Sequence, residues 1–455
     1  MSATLKGRAG LPPLPAELAN RAVFPDDRGY AMVRSSYMAA GSPAVVIMAT
    51  TADEVAAAVR YAADAQGPDG ERLPVAVRSG GHGIAGTSTN HGGIIIDLSR
   101  LDAVDLDPDA HRVRAQAGAG WGKVSTVLAP HDLTITSGNF GDTGVGGLAT
   151  AGGVGYFARS QGLTIDRVRA AQLVTADGRV RWVDAEHEPD LFWAVRGGGT
   201  HVGIVTEVEL EPTRMNTRSG DASIIYQEVG YAVTDLGAFT QAWGEWIDGA
   251  PRAAEGFLML NATGSGRTIV RARNVWAGDD TAAATPVLEA ALGLGQVFEQ
   301  QAFITPYPQI VPSPGQPHLG QQAIRMRDVL VDRADAEVGR AMAQALADRT
   351  TLLGEIRALG GAVSDVDPSA TAWAGRHQRA LVGTWLRPAG TVAEDASFAP
   401  LQQLGTGTYA AYSSDVRPAS AELAWPGDTG TRLRALSEQV DPEGLFTQGH
   451  SLRRR

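Results

Sequence analysis

The chain contains no cysteine. Disulfides, thiolate metal sites and cysteine nucleophiles are therefore excluded before any motif is read. It also lacks an apolar run long enough to span a bilayer. From Met1 to Pro25 prolines alternate with polar residues around no sustained apolar core, so no cleaved leader is expected and the cytoplasm is the expected compartment. Positive charge is in the minority. The 39 Lys and Arg stand against 50 Asp and Glu, a formal net charge of −11, which disfavours nucleic acid and anionic membrane as partners. The basic cluster Arg453-Arg454-Arg455 reads as a solvated tail. The nine histidines are scattered, with no H-E-x-x-H or paired-ligand spacing, so no metal is expected.

What is present is length and glycine. At 455 residues and 44% hydrophobic content the chain can bury a large core and divides into more than one domain. Residues 44–48 read as a buried strand. Thr51-Ala52-Asp53-Glu54, followed by Val55, Val59 and Ala62, reads as a capped amphipathic helix. Val75-Ala76-Val77 is the next strand and completes a βαβ unit, with a right-handed crossover expected. Residues 93–98 and the half-wet alternation of 112–118 extend a strand-rich α+β region from about 40 to 215. From about 216 to 395 the glycine clusters vanish. Helical stretches at Thr281 to Leu292 and 333–353 alternate there with strand-like runs such as 256–260. An amphipathic helix through Leu433, Leu436 and Val440 closes the chain.

Among the 55 glycines three clusters stand out. The first is Val77-Arg78-Ser79-Gly80-Gly81-His82-Gly83, running on to Thr87 and Ser88. A strand that breaks into glycines turns consecutive backbone N–H groups toward one point, a concavity for pyrophosphate oxygens, and it holds the His82 imidazole, a competent nucleophile, beside whatever carries them. The second cluster runs from Gly138 to Tyr156 and the third from Arg196 to Thr206. The pattern G-x-G-x-x-A at Gly153–Ala158 and Gly405–Ala410 lacks the strand, helix and downstream acid of a nicotinamide site and is read as chance.

In order and spacing these clusters resemble the FAD-linked oxidases of the vanillyl-alcohol oxidase superfamily, specifically the berberine bridge enzyme-like group and its singly tethered bacterial type. The matching signatures are Val77 to His82; Gly144-Val145-Gly146-Gly147 with Gly152-Gly153-Val154-Gly155; Gly162-Leu163-Thr164-Ile165-Asp166; and Trp193 to Gly199 with Gly203-Ile204-Val205-Thr206. Leu359-Gly360-Gly361 and Asp441-Pro442 with Leu445-Phe446 extend the likeness.

The resemblance implies an α+β fold with a two-lobed FAD domain of the PCMH type. Residues 1–215 would form that domain, 216–395 a substrate domain of antiparallel sheet backed by helices, and 396–455 a segment returning to the FAD domain. It implies FAD bonded through its 8α-methyl to His82. It assigns the cradle to Arg78, Ser79, Gly80, Gly81, Gly83, Thr87 and Ser88, to Thr143, Gly144, Gly146, Gly147, Gly152, Gly153 and Gly155, to Gly203, Ile204 and Val205, and to Tyr412 and Gln448. A second, cysteinyl tether is ruled out, because Phe140 occupies the matching position. Thr143 falls beside the edge where dioxygen reacts, and Asp142 is open between a hydrogen bond to substrate and one to the loop. Glu355, on a strand facing the flavin, is the expected base, with an exposed glutamate paired with Arg357 as its alternative. Tyr412 falls in the family's Y-x-N-Y segment, here Tyr409-Ala410-Ala411-Tyr412 with the asparagine lost. Tyr156, Trp243, Trp246 and Tyr307 stand between cavity and core, and His377 is unassigned.

The implied activity is hydride abstraction from a small organic substrate of secondary-metabolite, alcohol or sugar type, with dioxygen reduced to hydrogen peroxide. An oxygenating oxidase acting on a polyketide-like intermediate is the neighbouring alternative. A catalytically silent flavin carrier, suggested by Ala411, is the alternative of another class.

Overall fold

The computed structural model describes residues 11–453 except 68, 264–265, 314–318 and 321–322. Residues 1–10 of the leader reading, and Arg454 and Arg455 of the basic tail, lie outside the described residues.

The first sheet carries the βαβ pattern. β1 (Val45–Met48) leads into α1 (Ala52–Asp64), and β2 (Val75–Arg78) leads through the first glycine cluster to β3 (Ile94–Asp97). All three strands are parallel, with β3 between β1 and β2, and the short strand Ala22–Val23 adds antiparallel to β1. Thr51 caps α1, its Oγ accepting from Glu54 N at 3.1 Å. The Val55, Ala58, Val59 and Ala62 face packs on the strands.

A second, antiparallel sheet follows in the order β4 (Val104–Asp107), β5 (Arg112–Gln116), β8 (Ile204–Leu210), β6 (Val168–Val174), β7 (Val180–Asp184). The short helix α2 (Val145–Ala151) lies against it.

The third sheet has seven antiparallel strands in the order β12 (Gln296–Pro306), β9 (Ser223–Val233), β11 (Thr268–Trp276), β10 (Ala254–Ala262), β14 (Thr351–Ala358), β15 (Ala380–Leu386), β13 (Arg325–Val331). Helices α3 (Leu236–Gly249), α4 (Thr281–Leu292), α5 (Ala336–Ala347) and α6 (Thr391–Gln402) cover one face. The period of two decides which strand residues meet them. On β14, Ile356 and Ala358 pack into the helix-backed core, so Glu355 and Arg357 point the other way, toward the glycine loops. The helix expected over 333–353 ends at Ala347. Asp348 turns the chain by accepting from Thr350 N at 2.7 Å, and Thr351 to Leu353 belong to β14.

The last residues pack back on the second sheet. Ala421, Trp425, Leu433 of α7 (Gly427–Val440) and Leu452 share a buried cluster with Val113, Trp121 and Phe192. Among the described residues no helix is long and apolar enough to cross a membrane.

Candidate functional site

One cavity of about 310 Å³ lies where the glycine loops, the inner face of the seven-stranded sheet and the C-terminal segment meet. Its first wall is the loop after β2. Ser79, Gly80, Gly81, His82, Gly83, Thr87 and Ser88 line it, and Thr143, Gly144 and Gly147 of the second cluster face it. The two loops touch backbone to backbone: a Cβ on Gly80 would lie 2.2 Å from Gly144 N, and one on Gly144 2.2 Å from Gly80 N. Only glycine permits that approach. Ser79 Oγ donates to Ala117 O, and Trp121 N donates to Thr143 O at 3.0 Å, which ties both loops to the second sheet.

His82 sits in the middle of this wall. Its Nε2 lies 3.0 Å from Asp142 Oδ1, so Asp142 faces the histidine. Tyr37 stacks on the ring at 5.0 Å and Phe140 lies 6.0 Å away on a tilted plane. Tyr37, Phe140 and His82 all line the cavity.

The sheet supplies the opposite wall through Arg357 and Trp385, with Tyr412 beside them. Arg357 donates from Nε to Glu355 and from Nη1 to Asn139 Oδ1, and its guanidinium lies 4.8 Å from the Tyr412 ring centre. The Glu355 carboxylate holds that guanidinium charged, outweighing burial. Trp385 Nε1 donates to the second Glu355 oxygen at 3.2 Å. Glu355, 2% exposed, is thus occupied by Arg357 and Trp385 and stands behind the wall. Glu355 does pair with Arg357, but buried rather than exposed, and Arg357, the longer side chain, is the one that reaches the cavity. Burial pushes the Tyr412 phenol well above its ordinary range and Tyr409 up to about 12.

The third wall joins Gly197 to His201 with Trp425, Gln448 and His450. Buried polar atoms with no hydrogen-bond partner among the described residues include His201 Nε2 and Gln448 Oε1 here and Ser88 Oγ of the first wall. Gln448 Nε2 donates to Thr89 O at 2.7 Å, so its free oxygen is an acceptor. His201 is fully buried and held neutral, its pKa lowered to about 4 by desolvation. Its Nδ1 meets Gly198 O at 2.5 Å and must carry the proton, which leaves Nε2 as an acceptor. Orphaned atoms of this kind cost about 1–3 kcal/mol each unless a ligand meets them. With a glycine cradle on one side and two acceptors aimed inward on the other, the cavity fits an elongated cofactor carrying both phosphates and hydroxyl or amino groups. FAD is such a molecule.

Several residues assigned from the resemblance lie outside this wall. Arg78 is buried in an ion pair with Asp97 and donates to Ser35 O at 3.0 Å, so it braces β2 against β3. Gly146 packs on Ala117, Gly152 on Trp373 and Tyr409, Gly153 on Thr164, and Gly155 on the Ser137 backbone. Gly203 approaches Val174 O, while Ile204 and Val205 are buried in the two sheet cores. These small residues serve close packing one layer behind the cavity. Trp243 and Trp246 belong to the sheet–helix core, Tyr307 is buried against Ser137 Oγ at 3.0 Å, and Tyr156 packs edge-on to Tyr226. Conversely, Tyr37, His201, Trp385 and Trp425 were not singled out in the sequence; a His inside a third glycine cluster was the one available signal.

The comparisons with known proteins agree with this geometry. A family model described as an FAD binding domain matches residues 43–184. The (R)-6-hydroxynicotine oxidase of Paenarthrobacter nicotinovorans is 35% identical over 199 residues, 43% of this chain and 42% of that protein. An FAD-dependent monooxygenase of Fusarium proliferatum is 37% identical over 170 residues, 37% of this chain and 32% of that one. The aligned stretches therefore span less than half of these relatives. Fold similarity extends further. The crystal structure of 6-hydroxy-D-nicotine oxidase from Arthrobacter nicotinovorans superimposes with a TM-score of 0.80 at 23% identity, covering 95% of this chain and 97% of that one. The BBE-like 1 protein of Physcomitrella patens gives 0.82 at 19% identity, covering 96% and 99%. The chain therefore carries an FAD binding domain recognised by sequence at 43–184 and shares its fold almost from end to end with these solved structures.

Proposed function

We propose that the protein is an FAD-dependent oxidase of a small organic substrate, with the cofactor tethered once, through His82. The observation that carries this reading is the placement of His82 in one cavity between the glycine loops and the Arg357–Trp385–Tyr412 wall. When bound, FAD supplies a two-electron acceptor that takes hydride from the substrate and passes the electrons to dioxygen, giving hydrogen peroxide.

In this reading the backbone N–H groups of Gly80 to Gly83 hold the pyrophosphate, while Gln448 Oε1 and His201 Nε2 accept hydrogen bonds from hydroxyl or amino groups of the cofactor. Thr143, on the loop that lines the cavity, is the neighbour of the dioxygen side. Arg357 and Tyr412 orient the substrate. Tyr412 remains a phenol at neutral pH and donates to a substrate heteroatom. No carboxylate is among the described residues of the wall. Glu355 therefore acts as a positioning residue for Arg357 and Trp385, and the reacting carbon bears an amine or hydroxyl whose lone pair assists hydride departure without a carboxylate base beside it.

Acid denaturation followed by mass measurement of the peptide carrying His82 tests the tether. Wild type should hold one FAD mass there, and H82A should release all flavin. Peroxide release across a panel of amines, alcohols and oligosaccharides tests the oxidase. The monooxygenase name of the Fusarium relative keeps the oxygenating alternative in view. Oxygen-18 from dioxygen appearing in product would select it. Slow reoxidation of the photoreduced protein in air, with no turnover on the panel, would select the silent carrier.

A further inference from the structure

We propose that Asp142 is the residue that prepares His82 for bonding to the cofactor. Its carboxylate, beside Nε2, stabilises the positive charge that grows on the ring as the histidine bonds to the cofactor methyl. This inference rests on the single tether proposed above.

Three observations support it. Asp142 Oδ1 lies 3.0 Å from His82 Nε2, and both side chains are mostly buried, at 18% and 12% exposure, so solvent screens the contact little. The ring plane is set independently by Tyr37, stacked at 5.0 Å with 23° between planes, and by Phe140 on a plane tilted 30°. The carboxylate is set independently too. Its loop is pinned on both sides of Asp142, by Gly141 N donating to Pro312 O at 3.1 Å, Gly122 N to Gly141 O at 2.7 Å and Trp121 N to Thr143 O at 3.0 Å. The facing loop cannot shift, because Gly80 lies against Gly144 and the Asp142 carbonyl. Asp142 and His82 therefore meet by construction of two rigid loops.

A carboxylate beside the imidazole stabilises the positive charge that grows on the ring as one of its nitrogens forms a bond. In the net reaction a methyl C–H and the imidazole N–H are exchanged for a C–N bond. The two protons and two electrons released reduce one dioxygen to hydrogen peroxide. Asp142 accepts the proton that the ring gives up and passes it to solvent.

The experiment follows covalent loading against simple binding. Protein produced in riboflavin-depleted cells is mixed with FAD in air, quenched in acid at intervals, and the mass of the His82 peptide is recorded. Non-covalent binding is read in parallel from quenching of FAD fluorescence. Wild type should load fully. D142A should bind FAD but load about 10–100-fold more slowly, the range seen where a carboxylate partner of a metal-ligating histidine is removed. D142N, which keeps an acceptor of the same shape without the charge, should fall between them. Loading of D142A at the wild-type rate would overturn the proposal. Should D142A fail to bind FAD, D142N decides: several-fold slower loading with unchanged binding supports the role of the charge, and a wild-type rate removes it. If wild type itself carries no added mass, the tether fails, a result distinct from all of these.

Discussion

At the residue scale the site is made of close approaches and paired charges. Gly80 is the sharpest case, because an added Cβ would meet main-chain atoms of Gly144 and Asp142 that have no freedom to yield. G80A should separate the two loops, lower the urea midpoint by the equivalent of about 1–3 kcal/mol, and abolish flavin retention on gel filtration. The Glu355–Arg357 pair fails differently. E355Q leaves the Arg357 guanidinium buried beside a neutral amide, and losing one partner of a buried pair costs about 3–5 kcal/mol. Melting of the flavin-free protein should show that loss. In the variant that remains folded, anaerobic reduction by substrate should weaken in KM more than in the limiting rate, because Arg357 is displaced and no proton acceptor has been removed. A collapse of the limiting rate with KM unchanged would restore Glu355 as the base.

At the scale of elements, caps and alternation decide what can be read ahead of the structure. α5 begins at Asp335, whose carboxylate accepts from Glu337 N at 2.9 Å and Val338 N at 3.1 Å. D335A should cost about 1 kcal/mol, measured as a shift in urea midpoint without change in slope. The end of the same helix was not legible. Leu346, Leu352 and Leu353 keep apolar residues arriving at intervals that suit a helix, and only the Asp348 turn separates α5 from β14. The glycine loops were legible because backbone that must lie against backbone or phosphate excludes every other residue. His82 was legible because it stands inside such a loop. The partners of these residues were not. His82 and Asp142 are sixty positions apart, Arg357 reaches Asn139 across the molecule, and Gln448 reaches Thr89 from the far end of the chain. Local pattern says nothing about contacts of that separation. Glycine also has two uses that sequence does not distinguish. Gly80 and Gly144 face the cavity, whereas Gly146, Gly153 and Gly155 admit neighbouring side chains or backbone one layer behind it.

At the scale of the whole molecule, burial sets a pH dependence with two opposing parts. Desolvation raises Asp328 and Glu255 to about 7. Folded, each holds its proton more tightly than in the unfolded chain, so the stability they contribute is complete below about pH 4 and is lost as pH rises through 7. His201 runs the other way. Its folded pKa of about 4 lies below that of a free imidazole, so its stability is lost as pH falls from about 6.5 toward 4. D328N keeps an acceptor for Tyr409 N, which Asp328 Oδ2 meets at 2.7 Å, and removes the ionisation. Its urea midpoint should come close to wild type at pH 4 and exceed it at pH 8, by the equivalent of on the order of 4 kcal/mol. Equal midpoints at both values would place the Asp328 carboxyl near its ordinary range.

The third wall of the cavity comes from Trp425, Gln448 and His450, while the first comes from residues near position 80. During synthesis the first wall emerges more than 300 residues before the third. A nascent chain stopped before residue 425 has the glycine loops, His82 and the sheet wall but lacks the third wall, so cofactor capture should wait for residues 425–450. Truncated translation products should therefore stay colourless, and flavin supply in the cell should limit how much finished protein becomes yellow without limiting how much is made.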